Sequence, residues 1–521
     1  MKGRKLIALM VAVFMLSMLF AGCGAASSNN AATTAPSQSG TSAQTTQAQS
    51  TAAAPAELID CRYVVPGSEP KDSPAVDEAI SKKMQADGVN LNFKRTYIPW
   101  DVWQQKTNVM ISTGEEFELI HIMEDWIPSA TLVGKGALVP MDEALDKYGA
   151  KLKEVIPADI WDICRVNGKV YSIPVFYRDF APMMNVTIQK QLFDKYGLPI
   201  PKTPDELLES SAKIVKGEKN PDLRLWEKIN PGSPDFLHRA YDSYPFIVRD
   251  GLFMVDQQGN VKPWLETEEF KKDCAWFHKA YKEGVIHPDI LTIPQDTVAQ
   301  KGDQGLSFIN TSSALFEYEK IRKAKPDADL VEVSFYPEKG SFRGEWVIMN
   351  ANSIPATTKH PEAGVMFFNW VYSSQENYDL LNYGIKDKHW KDAGDRRYEA
   401  ILGADGKAPD YEFGDWEMGH YKFVRATPTA PKELEAIMFQ FDPKAVNSVA
   451  AGFRFNSEPV NAEYTAVMAE LESSIYPIKF GVVSYEDGYA KALKAMKTAG
   501  YDKVVEEFSK QFKAWYDARK K

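Results

Sequence analysis

Cysteine is scarce in this chain: 4 among 521 residues, at positions 23, 61, 164 and 274, with no CxxC pair. Zinc-finger and dithiol-redox spacings are thereby excluded, and for Cys61, Cys164 and Cys274 a disulfide between two of them and buried free thiols both stay open. Long apolar runs are just as rare. The one such stretch, Leu6 to Phe20, is about 15 residues against the roughly 20 that a spanning helix needs, so no transmembrane domain is expected. An excess of positive charge is also missing: 61 Lys and Arg face 71 Asp and Glu, a formal net charge of −10. A nucleic-acid partner is therefore not expected, because such binding pairs Lys and Arg with phosphates. HExxH, GxxxxGK[ST], GxSxG and GxGxxG are all absent, which removes the usual support for zincin, P-loop, α/β-hydrolase and Rossmann-cofactor chemistry. The 7 His residues, at 121, 238, 278, 287, 360, 389 and 420, show no ligand-like spacing. No metal site and no cofactor are expected.

What is present is the composition of a folded protein, 44% hydrophobic and 12% aromatic with 12 Trp, long enough for about two to four structural units. Lys2, Arg4 and Lys5 before the apolar run match the charged and apolar regions of a secretory signal. The run closes on Leu19-Phe20-Ala21-Gly22-Cys23, which resembles a bacterial lipobox, with small residues before a Cys that is lipidated and becomes the new N-terminus. Two acyl chains on Cys23 would suffice for stable anchoring. From Gly24 to Ala56 only Gly, Ala, Ser, Thr, Asn, Gln and Pro occur, a composition with nothing to repay ordering and a reach of roughly 30 Å as a flexible coil. The expected order is signal 1–22, lipid-anchored tether 23–56 and a folded part from 57.

In the folded part, strand patterns at 58–65, 91–97, 117–122 and 171–175 alternate with helical patterns at 73–84 and up to 112, the signature of an α/β sheet with crossover helices. A second unit opens at Arg178, with helical patterns at 187–196 and 204–216, a hairpin over 252–264 turning at Gln258-Gly259, and a helix over 267–283 that stops at Gly284. Helical spacing recurs over 361–381, and again where Tyr501, Val504, Val505, Phe508, Phe512 and Trp515 fall three or four apart.

Several segments together resemble one family, the lipoprotein solute-binding components of bacterial ABC importers for oligosaccharides, of the aldouronate or LplA/LipO-like type. They are ISTGEEFELI at 111–120, GALVPMDEALDKY at 136–148, GKVYSIP at 168–174, WVIMNANSIPATTKHPEA at 346–363, LNYGIKDKHW at 381–390, GFRFNSEPV at 452–460 and KTAGYDKVVEEFSKQFKAW at 497–515. The resemblance implies a two-lobe α/β fold of the type II periplasmic-binding-protein kind, with the ligand cleft between the lobes. Lobe 1 is then 57–177 with 351–382, and lobe 2 is 178–350 with 383–521, with crossings near 175–180, 345–352 and 382–390. It also implies permease partners, a monomer, and a place on the outer face of the bacterial cell membrane. Some members carry an acidic calcium loop shortly after the segment matching 197–208. Here that stretch reads AKIVKGEKNPDLRLWEKI and lacks the alternating oxygen ligands such a loop needs, so no calcium site is expected.

A sugar cleft wants flat aromatic platforms beside polar side chains. The candidates are Asp125 and Trp126 after the third strand, Tyr177, Arg178 and Asp179 at the first crossing, and Trp346 at the second. Tyr383 and Trp390, with Lys388 and His389, lie at the third, Trp100 follows the second strand, and Asn310 follows 305–309. Arg178 would suit a uronic acid, since a guanidinium binds a carboxylate through two parallel hydrogen bonds. No catalytic residue is assigned. A lipid-anchored polysaccharide-degrading enzyme is the alternative, because a pair among 71 acidic residues is all a glycosidase requires.

Overall fold

The first strand of the folded part packs on both of its faces. In β1 (Ile59–Pro66) the side chains of Cys61, Tyr63 and Val65 pack into one hydrophobic cluster while Val64 packs into another on the opposite face, as alternation along a strand requires. After helix α1 (Ser73–Ala86), β2 (Leu91–Ile98) pairs parallel with β1 along its whole length. Helix α2 (Trp103–Ser112) then leads to β3 (Leu119–Met123), parallel to β1 on its other side. Past the short helix α3 (Ala158–Ile163), β4 (Ser172–Pro174) and the distant β5 (Asn350–Ser353) complete a sheet of order β2-β1-β3-β5-β4. β5 runs antiparallel to both neighbours. The computed structural model describes residues 58–519 except 125–127, 177–184, 225–234, 295–296, 298–300, 303, 307–308, 311–317, 319–320, 323, 345–347, 407, 433–434 and 436–441. All described residues belong to one unit, Ala56–Lys521.

Two of the expected helices differ. The span 361–381 is two helices, α4 (Pro361–Val371) and α5 (Gln375–Asn382), because Ser374 leaves the helical region and its hydroxyl accepts from the Asn377 N–H as an N-cap. The span 187–196 opens as a strand, Val186–Gln189, and turns helical only at Lys190. Its β-branched Val186, Thr187 and Ile188 are buried between two antiparallel partners, 309–310 and 330–333, an environment that suits β-branched side chains. The expected hairpin is present as Phe253–Asp256 and Val261–Pro263, with the Asp256 carboxylate accepting from the Gln258 and Asn260 N–H groups across the turn.

Two large hydrophobic centres result. The first joins the sheet to α1, α4 and α5, with Phe93 stacked on Phe367 at 4.2 Å. The second joins the 186–189 and 253–256 strands to the C-terminal helices, with Phe253 stacked on Phe508 at 3.9 Å. The chain leaves the first centre between Phe176 and Val186, returns between Phe342 and Ile348, and passes finally to the second around 450–453, where Ala451 packs in the first centre and Ala450 and Phe453 in the second. The stretch after 382, expected in the second lobe, packs in the first centre through Tyr383, Trp390, Tyr411, Phe413 and Met418. The reason is local: Tyr383 meets the Tyr378 ring of α5 edge-on, and the Trp390 indole donates to the Gly384 carbonyl. Among the described residues no helix is long and apolar enough to cross a membrane, and Cys61, Cys164 and Cys274 are buried free thiols.

Candidate functional site

The parallel strands β1, β2 and β3 end at one edge of the first sheet, the edge at which open α/β sheets bind ligands. Just past β2, Trp100 is 44% exposed, unusual for so large an apolar ring. A second indole, Trp416, leans against it with ring centroids 5.5 Å apart and planes tilted 34°. His121 of β3 meets Trp416 in a T-shaped contact at 5.2 Å. Two tryptophans and a histidine from three separate segments thus share one end of the sheet.

Trp416 is brought there from far along the chain by a buried cation. The Arg95 Nε of β2 donates to Asp77 Oδ1 of α1 at 2.8 Å, and its Nη1 donates to the Tyr411 hydroxyl at 2.7 Å. The Tyr411 hydroxyl in turn donates to the Leu381 carbonyl. The same guanidinium lies 5.1 Å from the Tyr411 ring centroid and 4.9 Å from that of Phe413, within cation–π range. Arg95 so pins the 411–413 strap to the sheet, and the turn Asp415–Met418 that follows delivers Trp416. Gly414 is required for this. A Cβ there would lie 2.3 Å from Trp416 Nε1.

Behind the aromatic rings lies a polar web. His121 Nε2 is 3.1 Å from Asn350 Oδ1 and its Nδ1 is 3.4 Å from Asn352 Oδ1. Tyr63 donates to Asn352 Oδ1 at 2.6 Å, and the Asn352 amide donates to the Glu417 carbonyl at 2.9 Å. Burial pulls the His121 pKa down to about 4, so the ring is neutral at pH 7. Burial also pushes Asp415 up to about 7, against the Tyr378 hydroxyl that donates to it at 2.7 Å, and pushes the Glu417 carboxyl well above the usual range. A narrow recess, too small for a sugar ring, lies between α2 and β3, lined by Trp103, Asn108, Ile111 and His121. Flat rings backed by hydrogen-bonding groups are suited to binding a molecule with apolar faces and hydroxyl rims.

Of the sequence candidates, Trp100 stands at this edge. Tyr383 and Trp390 do not: they are 4% and 3% exposed. Tyr383 lies 4.3 Å from the Tyr398 ring, and Arg425 sits 5.0 Å over Trp390, so protein already covers these aromatic faces. Lys388 and His389 both hold Asp72, at 2.7 and 3.1 Å. Asn310 pairs with Thr187 in the second unit's small sheet. Asp125, Trp126, Tyr177, Arg178, Asp179, Trp346 and Cys23 lie outside the described residues. Within 212–229, Asp222 is engaged by Lys301 at 3.2 Å. Trp416 and His121 were not singled out in the sequence. The one usable signal for Trp416 is Gly-Asp-Trp-Glu at 414–417, a glycine two residues before an indole set among carboxylates.

A model for "Bacterial extracellular solute-binding protein" matches residues 67–378, and one for a domain of unknown function matches 449–517. The chain is 25% identical over 453 residues to a carbohydrate ABC transporter substrate-binding protein of Streptococcus pneumoniae, covering 83% of this chain and 86% of that one. It is 25% identical over 349 residues to lipoprotein LipO of Bacillus subtilis, covering 61% and 65%. In structure it is similar to the N-glycan transport solute-binding protein NgtS of Streptococcus pneumoniae, with a TM-score of 0.70 at 21% identity over 88% of this chain and 100% of that one. A further match is FusA of the same organism in complex with kestose, at a TM-score of 0.57, 15% identity and the same coverage. The fold is thus the two-lobe α/β fold of these proteins. With more than half of its length matched by the family model, the chain belongs to the bacterial extracellular solute-binding proteins.

Proposed function

We propose that this protein captures an oligosaccharide outside the cell and delivers it to the permease of an ABC importer, without chemical turnover. The observation that carries this reading is the match over 67–378, supported by relatives whose names specify carbohydrate ABC transport. The two hydrophobic centres are then the hearts of the two lobes. Trp100 and Trp416 supply a stacking platform on one side of the cleft, and Asp125, Trp126, Tyr177, Arg178, Asp179, Asn310 and Trp346 remain proposed contacts around it. The test is calorimetry against a panel spanning mannosyl-GlcNAc glycans, fructo-oligosaccharides and uronate oligomers, with product analysis in parallel. Saturable binding with intact sugar is expected; turnover would establish the polysaccharide-degrading alternative instead.

Trp416→Ala and Gly414→Ala should each weaken binding of the sugar so found by about tenfold or more, roughly 1.4 kcal/mol, the first by removing the platform and the second by displacing it. Binding titrations check this. Unchanged affinity in both variants would remove Trp416 from the site.

The anchor is proposed to be lipid on Cys23. Cys23→Ala is expected to move the protein from the membrane fraction to the soluble one with its unfolding transition unchanged, because the folded part begins well after the tether. Fractionation and thermal melts read the two outcomes, and retention in the membrane at the parental level would exclude a lipid at Cys23.

A further inference from the structure

Glu124 directly follows β3, and its N–H donates to the Met349 carbonyl at 2.9 Å just ahead of β5. It is anchored in the first lobe. Arg454 sits between Phe453 and Phe455, whose rings pack on Phe508 in the second hydrophobic centre at 5.3 Å each. Yet Arg454 Nε donates to Glu124 Oε2 at 3.1 Å, and the two side chains are only 19% and 6% exposed. The same carboxylate oxygen accepts the Ser129 N–H at 3.2 Å, and Arg454 Nη1 donates to the Phe453 carbonyl at 3.0 Å, so both partners are held in place. The pair borders a narrow recess shared by Ser172, Ile348 and Gly452. Gly452 has φ +87°, and a Cβ on it would meet the Ile163 carbonyl of α3 at 3.0 Å. The turn at 450–454 is therefore pressed against the first lobe. Nearby, the Asn447 amide donates to Asp159 at 2.8 Å in an exposed hydrogen bond, which contributes little.

We propose that Glu124 and Arg454 form a latch between the lobes that sets how far the ligand-free protein opens. An ion pair withdrawn from water is screened little by salt and is lost in full when its partners separate, so it favours the arrangement in which they touch. The proposal rests on the two-lobe receptor reading, but its test uses no ligand, so a failure to find a sugar leaves this result standing on its own.

The full chain carrying Cys23→Ala, with Val109→Cys on α2 and Leu291→Cys in the second unit, both at exposed positions, is spin-labelled and the label distance distribution measured. The native thiols of Cys61, Cys164 and Cys274 are buried and burial raises their pKa values, which keeps them from competing for label. Arg454→Ala and Glu124→Gln are each expected to give a longer mean distance and a broader distribution, while Arg454→Lys stays close to the parent. Should Arg454→Ala fail to fold, Glu124→Gln carries the test. Parental distributions in the folded variants, or an Arg454→Lys distribution as broad as that of Arg454→Ala, would overturn the latch.

Discussion

Arg95→Ala is expected to destabilise the folded protein by about 3–5 kcal/mol, the cost of removing one partner from a buried ion pair. Asp77 would keep a carboxylate 6% exposed with its guanidinium gone, and the Tyr411 hydroxyl would lose its donor. Four rings, those of Phe93, Tyr97, Tyr411 and Phe413, would lose the cation they surround. Urea unfolding gives the change directly. Arg95→Met combined with Asp77→Leu should recover part of it, since an apolar pair of similar volume carries no stranded charge. The recovery is partial because Asp77 Oδ2 also accepts the Arg95 backbone N–H at 2.9 Å. A loss below about 1 kcal/mol in Arg95→Ala would show that the strap carrying Trp416 does not depend on this cation.

The second large effect is a stabilisation that depends on pH. Burial first, then the nearby Glu412 and Asp379 carboxyls, raise Asp415 to about 7 from an ordinary 3.8, while the Tyr378 and Tyr383 hydroxyls work against the rise. Between those two pH values the folded state holds a proton that the unfolded chain has released, so this group's contribution to stability falls as pH rises through the window. His121 and His420, lowered by burial to about 4 and about 3, act in the opposite sense. Below pH 6.5 the unfolded chain takes protons that these buried rings refuse, and stability falls as pH drops. The parent's curve sums the opposing slopes, and Asp415→Asn isolates one of them. Asn can still accept from Tyr378. The variant should match the parent near pH 3 and exceed it near pH 8 by up to about 4 kcal/mol, three pKa units at 1.36 kcal/mol each. Equal differences at the two pH values would show that Asp415 does not titrate in this window.

The sheet was legible because its strands are apolar runs between turn residues, a signal carried by neighbours in sequence. The break at Ser374 was also within reach, since a serine between two apolar stretches is a capping signal. The strand at 186–189 was harder: Val186-Thr187-Ile188-Gln189 continues into Lys190-Gln191-Leu192-Phe193, and only the partner strands at 309–310 and 330–333 settle where the extended part ends. Tyr383 and Trp390 were misplaced for the same physical reason. Whether an aromatic ring faces a cleft or a core depends on Arg425 and Tyr398 arriving beside it, which no local pattern announces. Trp416 was missed from the other direction: its surroundings, Glu412, Asp415 and Glu417, read as a solvated loop, whereas remote contacts with Arg95 bury the strap that carries it.

The first hydrophobic centre is stitched from two distant stretches of chain. Tyr63 bonds to Asn352 across 289 residues and Arg95 to Tyr411 across 316. The amino-terminal third therefore cannot finish its core while it is being synthesised; it waits for β5, α4 and the 411–418 strap. Contacts of such separation make folding slow, since loop closure must precede any return in burial. Completion of this centre is therefore a late event, set by the arrival of residues 350–418 rather than by anything the first strands can do alone.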